Sequence, residues 1–395
     1  MIHFSPNIAK LQPSATISLS SRVKELISAG HDIINLTAGE PDFPTPSFIA
    51  DAGVRAIREG RTRYTPSAGV PELRAAIATD LSRLSPHQPA FDPASIVVSA
   101  GAKEALFNAC FSLFGPGDRV LIPVPYWTTY PEQIALARAE PVFVNPGGEN
   151  GKVTPEDLDR AAASGGVKGI ILNSPGNPTG AVYSLEELEA IVRWANARNA
   201  WVISDEIYRR IYHGDRLAPG LLDLDPALLE RSVVIDGASK SFAMTGWRIG
   251  FSYSPLELAT KISALQSQTT SHPSAPSQYA ALAAYCAGEE QMREYRTMSS
   301  AFERRRAHVV RLFRELLPGV RFLEPEGAFY LWIAVDGMAR NGENDIALCE
   351  RLIETVGVAL VPGSAFGDER FVRLSYACSE DTLERAVERL PEAVA

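Results

Sequence analysis

No apolar run in this sequence approaches the roughly 18 consecutive residues that a membrane-spanning helix needs. The opening stretch, MIHFSPNIAKLQPSATISLS, has no basic segment leading into an apolar one, as a secretory signal would. Cytoplasm is the expected compartment. Cysteine is scarce, and Cys110, Cys286, Cys349 and Cys378 lie far apart with neither C-x-x-C nor zinc spacing. That excludes a disulfide framework and gives no sign of a metal site. Basic residues are outnumbered 38 to 47, and no Lys/Arg run exceeds the three arginines of ERRRA, Glu303 to Ala307. A nucleic-acid backbone is therefore not an expected partner, and those arginines read as a solvated helix face. There is no internal repeat, low-complexity tract or Gly/Ser linker. With 46% apolar and 22% charged residues in a chain of 395, the whole sequence reads as folded and long enough for two domains.

What the chain does have is alternation. Between about residues 95 and 255, the short apolar runs SIVVS, RVLIPV, PVFVN, VKGIILN, AWVIS, SVVID and RIGFSY are separated by helical patterns. This predicts an α/β fold with a mostly parallel seven-stranded sheet between helices. One helix announces its start: SLEELEAIVRWANARN opens with Ser184 and Glu187 in capping-box spacing. Beyond about residue 290, a long charged helical stretch leads to the strand-like runs AFYLWIAV, VALVP and FVRLSYA with two more helices, which reads as a smaller α+β domain.

In an open α/β sheet, ligands sit beyond the carboxyl ends of the strands. The residues that follow each apolar run are therefore the candidates. They are Ser99 to Lys103 after SIVV, Tyr126 and Trp127 after RVLIPV, Asn177 in NSPGNPTG, Asp205 and Tyr208 in SDEIY, and Ser239 and Lys240 after VVID. Taken singly, each has an ordinary explanation: a surface lysine, an N-capping aspartate, a turn, a core aromatic. Their joint occurrence at successive strand ends is the signal. The small residues that open SAGAKEALFNACFSLF would leave the first N–H groups of a helix free, at Ala102 and Lys103, as an anion site. Arg373 in FVRLSY is a lone arginine in an apolar strand, which is expensive unless a carboxylate meets it.

From LTAGEPDF near Thr37 to FVRLSYA near Arg373, these motifs in this order resemble the fold-type-I, pyridoxal-phosphate-dependent aminotransferases, specifically the aspartate aminotransferase family. The resemblance implies a homodimer with shared sites and a chain divided into an N-terminal segment, 1–48, that joins the small domain, a large cofactor-binding domain, 49–289, and a C-terminal small domain, 290–395. Lys240 would be the Schiff-base lysine and proton carrier. Arg248, Ser239 and the helix start at Ala102 and Lys103 would take the cofactor phosphate. Asp205 would keep the pyridine nitrogen protonated, Tyr208 and Asn177 would face the phenolic oxygen, and Trp127 would stack on the ring. Arg373 would clamp the substrate α-carboxylate, with Gly39 supplying a backbone contact nearby. Tyr64 would reach the neighbouring subunit's phosphate.

The same resemblance bears on the amino donor. In the enteric and animal branch, an arginine from the partner subunit binds the distal carboxylate, but between Lys261 and Arg293 this sequence has no basic residue except His272. PSATIS, with Ser14 and Thr16, and Lys103 in GAKEALFN resemble instead the bacterial branch that reads this carboxylate with a lysine and hydroxyls. Aspartate with 2-oxoglutarate is the expected pair, and prephenate stays open. Two departures, Gly237-Ala238 where a hydroxyl residue is common and Ala102 where glycine is, each remove a phosphate contact and no catalytic group. An aromatic, alanine or kynurenine aminotransferase, or a lyase on the same fold, would retain Lys240, Asp205 and Arg373, though Lys103 and Thr16 argue against them. A non-catalytic, cofactor-binding regulatory homologue would have lost chemical residues, and none is lost. A nicotinamide-dependent dehydrogenase would need G-x-G-x-x-G, which SAGAKEAL does not supply.

Overall fold

A computed structural model describes residues 3–9, 11, 13, 15–85, 90–148, 150–214, 217–340 and 342–394. After the helix Ala15–Ser28 comes the short strand β1 (Ile34–Asn35), and then the strands of the principal sheet: β2 (Ile96–Ser99), β3 (Arg119–Pro123), β4 (Glu140–Val144), β5 (Val167–Asn173), β6 (Trp201–Asp205), β7 (Ser232–Gly237) and β8 (Gly250–Tyr253). All seven coincide with the apolar runs predicted from sequence. Their spatial order is β2-β8-β7-β6-β5-β3-β4. β8 alone runs against the rest, pairing antiparallel with both β7 and β2. The other neighbours pair parallel. β2 and β7 are buried at every residue, because helices cover both faces and leave no side from which a polar residue could reach water. The edge strand β4 is the contrast, with Phe143 45% exposed. Since six strands share one direction, their carboxyl ends open on a single edge, and the residues that follow them converge there.

The helix Leu185–Ala197 starts where its sequence says it should. The Ser184 hydroxyl accepts from the Glu187 N–H at 3.3 Å, and the Glu187 carboxylate accepts from the Ser184 N–H at 2.8 Å. The long helix Met292–Leu316 leads into a second, antiparallel sheet built from β9 (Phe322–Leu323), β10 (Tyr330–Ala334), β12 (Val361–Pro362) and β13 (Phe371–Ser375) in the order β12-β13-β10-β9. The remaining strand, β11 (Val358–Ala359), pairs parallel with β1, bringing the N-terminal segment against the C-terminal one. The helices Asp345–Val356 and Glu380–Val394 complete this region. Its apolar core includes Leu36, Phe329 and Tyr330 and extends to Ile207 and Tyr208, just past β6. The carboxyl edge of the large sheet is thus packed against the second region, and a cleft forms between them.

Candidate active site

The site begins at the ends of two neighbouring strands, β6 and β7. Asp205 closes β6 and is 3% exposed as a residue. Its Oδ2 accepts from the Tyr130 hydroxyl at 2.9 Å and its Oδ1 from the Ile207 N–H at 3.2 Å. Burial raises the Asp205 pKa to about 6, against the pull of these two donors. One strand over, β7 ends and the chain turns at once into a four-residue helix, Ala238–Ser241, so Lys240 stands on a helical turn rather than in a loop. Its Nζ donates to the Gly39 carbonyl. Burial lowers the Lys240 pKa to about 8. Glu40 and Asp205 oppose that fall, and the cations Arg248 and Arg373 add to it.

Arg248 follows the turn Thr245–Trp247 with left-handed backbone, φ 57°. Its Nη1 donates to the Thr245 carbonyl at 2.9 Å and its Nη2 to the Ala100 carbonyl at 3.3 Å. The guanidinium lies against Gly101, φ +92°, where any Cβ would collide with it. Gly250 likewise lets the Ala102 backbone N come into contact with β8. Glycines at these two places therefore bring Arg248 and the start of the helix Ala102–Leu113 together. The N–H groups of Ala102 and Lys103 head that helix and have no acceptor within it. Buried Ser239 lies in the same wall. The Lys103 ammonium sits 4.8 Å from the Trp127 ring centroid. Burial, then Arg248, lowers its pKa.

On the opposite wall, Arg373 is 3% exposed. Its Nη1 donates to Asn177 Oδ1 and its Nη2 to the Thr37 carbonyl, each at 2.9 Å. The guanidinium carbon lies 4.3 Å from the Tyr330 ring centroid. Tyr208 and Tyr330 join hydroxyl to hydroxyl at 2.8 Å.

These groups line one cavity of about 450 Å³. Every residue to which the resemblance gives a role borders it, except two; Ser99, Ala100, Gly101 and Tyr126, candidates by their place after a strand, do not line it. Tyr64 stands 92% exposed, edge-on to His272, away from the cavity of its own chain. Ser14 lies outside the described residues. Thr16 borders the cavity from the helix Ala15–Ser28. Sequence reasoning missed Tyr130, Tyr330, Glu40 and Lys24, and it named Gly101 only as one of the residues after β2, without its place against Arg248. Tyr130 carried a readable signal, three residues after Trp127 in the first turn of the helix Thr129–Leu136. Tyr330 carried none, sitting inside an apolar strand. The lining holds the cations Lys24, Lys103, Lys240, Arg248 and Arg373 against the acids Glu40 and Asp205, so the cavity favours an anionic ligand. A helix start, an arginine and a hydroxyl form a donor set suited to a phosphate. A low-pKa amine beside a buried carboxylate suits covalent attachment to a carbonyl and proton transfer. Among the described residues no cluster of His, Cys, Asp and Glu could hold a metal ion, and no helix is long and apolar enough to cross a membrane.

Comparison with known proteins agrees with this geometry. Residues 31–390 match the family model described as aminotransferase class I and II. An aspartate aminotransferase of Geobacillus stearothermophilus is 42% identical over 386 residues, covering 97% of this chain and 96% of that protein. A protein of Aquifex aeolicus named a probable aspartate/prephenate aminotransferase is 42% identical over 389 residues, 98% of this chain and 97% of that one. Among solved structures, the aspartate aminotransferase of Thermus thermophilus with maleate superposes with a TM-score of 0.92 at 37% identity, covering all of both chains. A family match across most of the sequence, and relatives of this identity along nearly all of it, make the chain a member of the class I and II aminotransferases.

Proposed function

We propose that this chain is a pyridoxal-phosphate-dependent aspartate aminotransferase that passes the amino group of L-aspartate to 2-oxoglutarate in two ping-pong half-reactions, giving oxaloacetate and L-glutamate. The observation that carries this reading is Lys240 and Asp205 at adjacent strand ends, inside a cationic cavity whose far wall is Arg373. The donor set fits the cofactor. Arg248, Ser239 and the N–H groups of Ala102 and Lys103 would hold its phosphate, Asp205 its ring nitrogen, Tyr208 and Asn177 its phenolic oxygen, Trp127 its ring face, and Lys240 its aldehyde carbon. When bound, the cofactor supplies an electron sink that acidifies the substrate Cα–H and stores the amino group between half-reactions.

The protein's own residues do the rest. The Arg373 guanidinium, held by Asn177 and the Thr37 carbonyl, presents its free N–H groups to the substrate α-carboxylate and so orients the Cα–H. Burial lowers the Lys240 pKa to about 8, so its amine holds a proton less tightly than an ordinary lysine and, in its neutral form, can take that proton. Lys103 with Thr16 would meet the distal carboxylate, a reading supported by the maleate, a four-carbon dicarboxylate, of the Thermus thermophilus structure. In this reading residues 49–289 form the cofactor domain, 290–395 the small domain, and 1–48 join the latter through the β1–β11 ladder. Tyr64, exposed on one chain, would complete the site of a second in a cytoplasmic homodimer.

The test is reconstitution with pyridoxal phosphate, borohydride reduction and peptide mapping, with steady-state assays on aspartate, glutamate, alanine, phenylalanine and prephenate. Cofactor fixed on Lys240 and oxaloacetate released from aspartate are the expected results. Cofactor fixed on another lysine, or no transfer from aspartate, overturns the reading.

A further inference from the structure

We propose that Tyr330 is a positioning residue with two separable tasks: its hydroxyl fixes Tyr208 as a hydrogen-bond donor into the cavity, and its ring seats the Arg373 guanidinium. This rests on the cofactor reading above. A single side chain of β10 would then tie the substrate's carboxylate clamp to the group facing the cofactor's phenolic oxygen.

Either hydroxyl could donate in this pair, and the count of protons sets the direction once a ligand is bound. Tyr330 is fully buried and Tyr208 nearly so, and their hydroxyl oxygens are 2.8 Å apart. Burial raises both phenol pKa values, so each keeps its proton. A phenol has one proton to give. If Tyr208 gives its proton to an anionic oxygen in the cavity, the Tyr208 oxygen is left to accept, and among the described residues Tyr208 is the one hydrogen-bond partner of the Tyr330 hydroxyl. The order is therefore Tyr330 to Tyr208 to ligand, a chain in which each bond polarises and strengthens the next. The Tyr330 ring meanwhile lies under the Arg373 guanidinium at 4.3 Å, and the Arg373 Nε has no hydrogen-bond partner among the described residues. The Phe366 ring lies 4.9 Å from the same carbon, so Tyr330 supplies the nearer of two aromatic faces that hold the guanidinium. A Cβ at Gly39, whose carbonyl receives Lys240, would come within 3.5 Å of the Tyr330 hydroxyl.

Phenylalanine and leucine separate the two tasks. Tyr330→Phe keeps the ring and deletes the donor. A donor at the phenolic oxygen draws off negative charge that would otherwise hold the proton on the Lys240 nitrogen. In pyridoxal-phosphate-loaded protein without substrate, the pH midpoint of the visible absorption band should therefore rise by about half to one pH unit. Tyr208→Phe should shift it at least as far, and the double variant no further than Tyr208→Phe alone, because the Tyr330 hydroxyl acts through Tyr208. Tyr330→Leu should add a rise of about 3- to 30-fold in KM for every amino donor, which Tyr330→Phe should not show. An unmoved midpoint in Tyr330→Phe, or a double variant whose shift is the sum of the single ones, overturns the relay. Equal KM values for the Phe and Leu variants overturn the seating role. A wild-type protein with no visible band after loading refutes the underlying cofactor reading instead.

Discussion

Lys240 should make the cofactor-free protein less stable than it would be without it, and the deficit should depend on pH in a defined way. Its pKa falls from the ordinary 10.5 to about 8 in the folded chain, chiefly through burial, with Arg248 and Arg373 adding to the fall. Between those two values the unfolded chain holds a proton that the folded chain has lost, so stability rises with pH across that window. Below about pH 8 the full cost of burying the ammonium is present, about 3 kcal/mol. Lys240→Met removes the charge but also the hydrogen bond to the Gly39 carbonyl, which contributes about 0.5–1.5 kcal/mol. Net stabilisation of the cofactor-free variant at pH 7 should be about 2 kcal/mol. If the 395-residue chain melts as one unit, that is about 2–3 °C in Tm. Melting curves of stripped wild type and Lys240→Met at pH 7, 8, 9 and 10 would show the gap largest at pH 7 and closing as the solution passes 10. A variant no more stable than wild type at pH 7, or a gap that ignores pH, would refute the claim that a charged lysine is held there against the fold's interest.

Lys103→Ala should lower kcat/KM for aspartate by about 10- to 200-fold, the loss of a charge-assisted hydrogen bond, and leave alanine nearly unchanged. Arg373→Ala should slow all donors together. Because Lys103 also lies within electrostatic reach of Arg248, equal losses for alanine and aspartate would assign it to the phosphate instead. Tyr130→Phe removes the side-chain donor that holds the Asp205 pKa down to about 6. The carboxylate should then take up its proton at higher pH, and the acid limb of the kcat/KM profile should move up by about half to one unit; an unmoved limb rules out that role. Gly101→Ala puts a Cβ into the Arg248 guanidinium at a backbone angle that side chains rarely adopt. Cofactor retention on dialysis should drop about tenfold or more, and retention equal to wild type would mean that Arg248 does not hold the phosphate.

The principal sheet could be read from the sequence because most of its strands are buried on both faces and so appear as unbroken apolar runs, and the six that share a direction end on the edge that meets the cleft. The same physics made Asp205 and Lys240 visible, since a charged residue at or just past the end of such a run has few places to go, and it made Arg248 visible as the charge that opens the run of β8. The pairing of β1 with β11 is the opposite case: two residues on each side, Ile34 and Asn35 against Val358 and Ala359, leave no periodicity to detect across that separation in sequence. Tyr330 fails for a different reason. In AFYLWIAV it looks like one more core aromatic, and its hydroxyl acquires a task only because the core that buries it also takes in Tyr208 from beyond β6. Arg373 stands two rungs away in the partner strand, opposite Trp332 rather than Tyr330, so the stacking between them is diagonal across the sheet. A strand register is needed to see that, and no count of residue types supplies one. Chemistry-bearing side chains are therefore legible where polarity breaks an apolar pattern, and illegible where an apolar side chain carries its one polar atom into a place that only the tertiary fold creates.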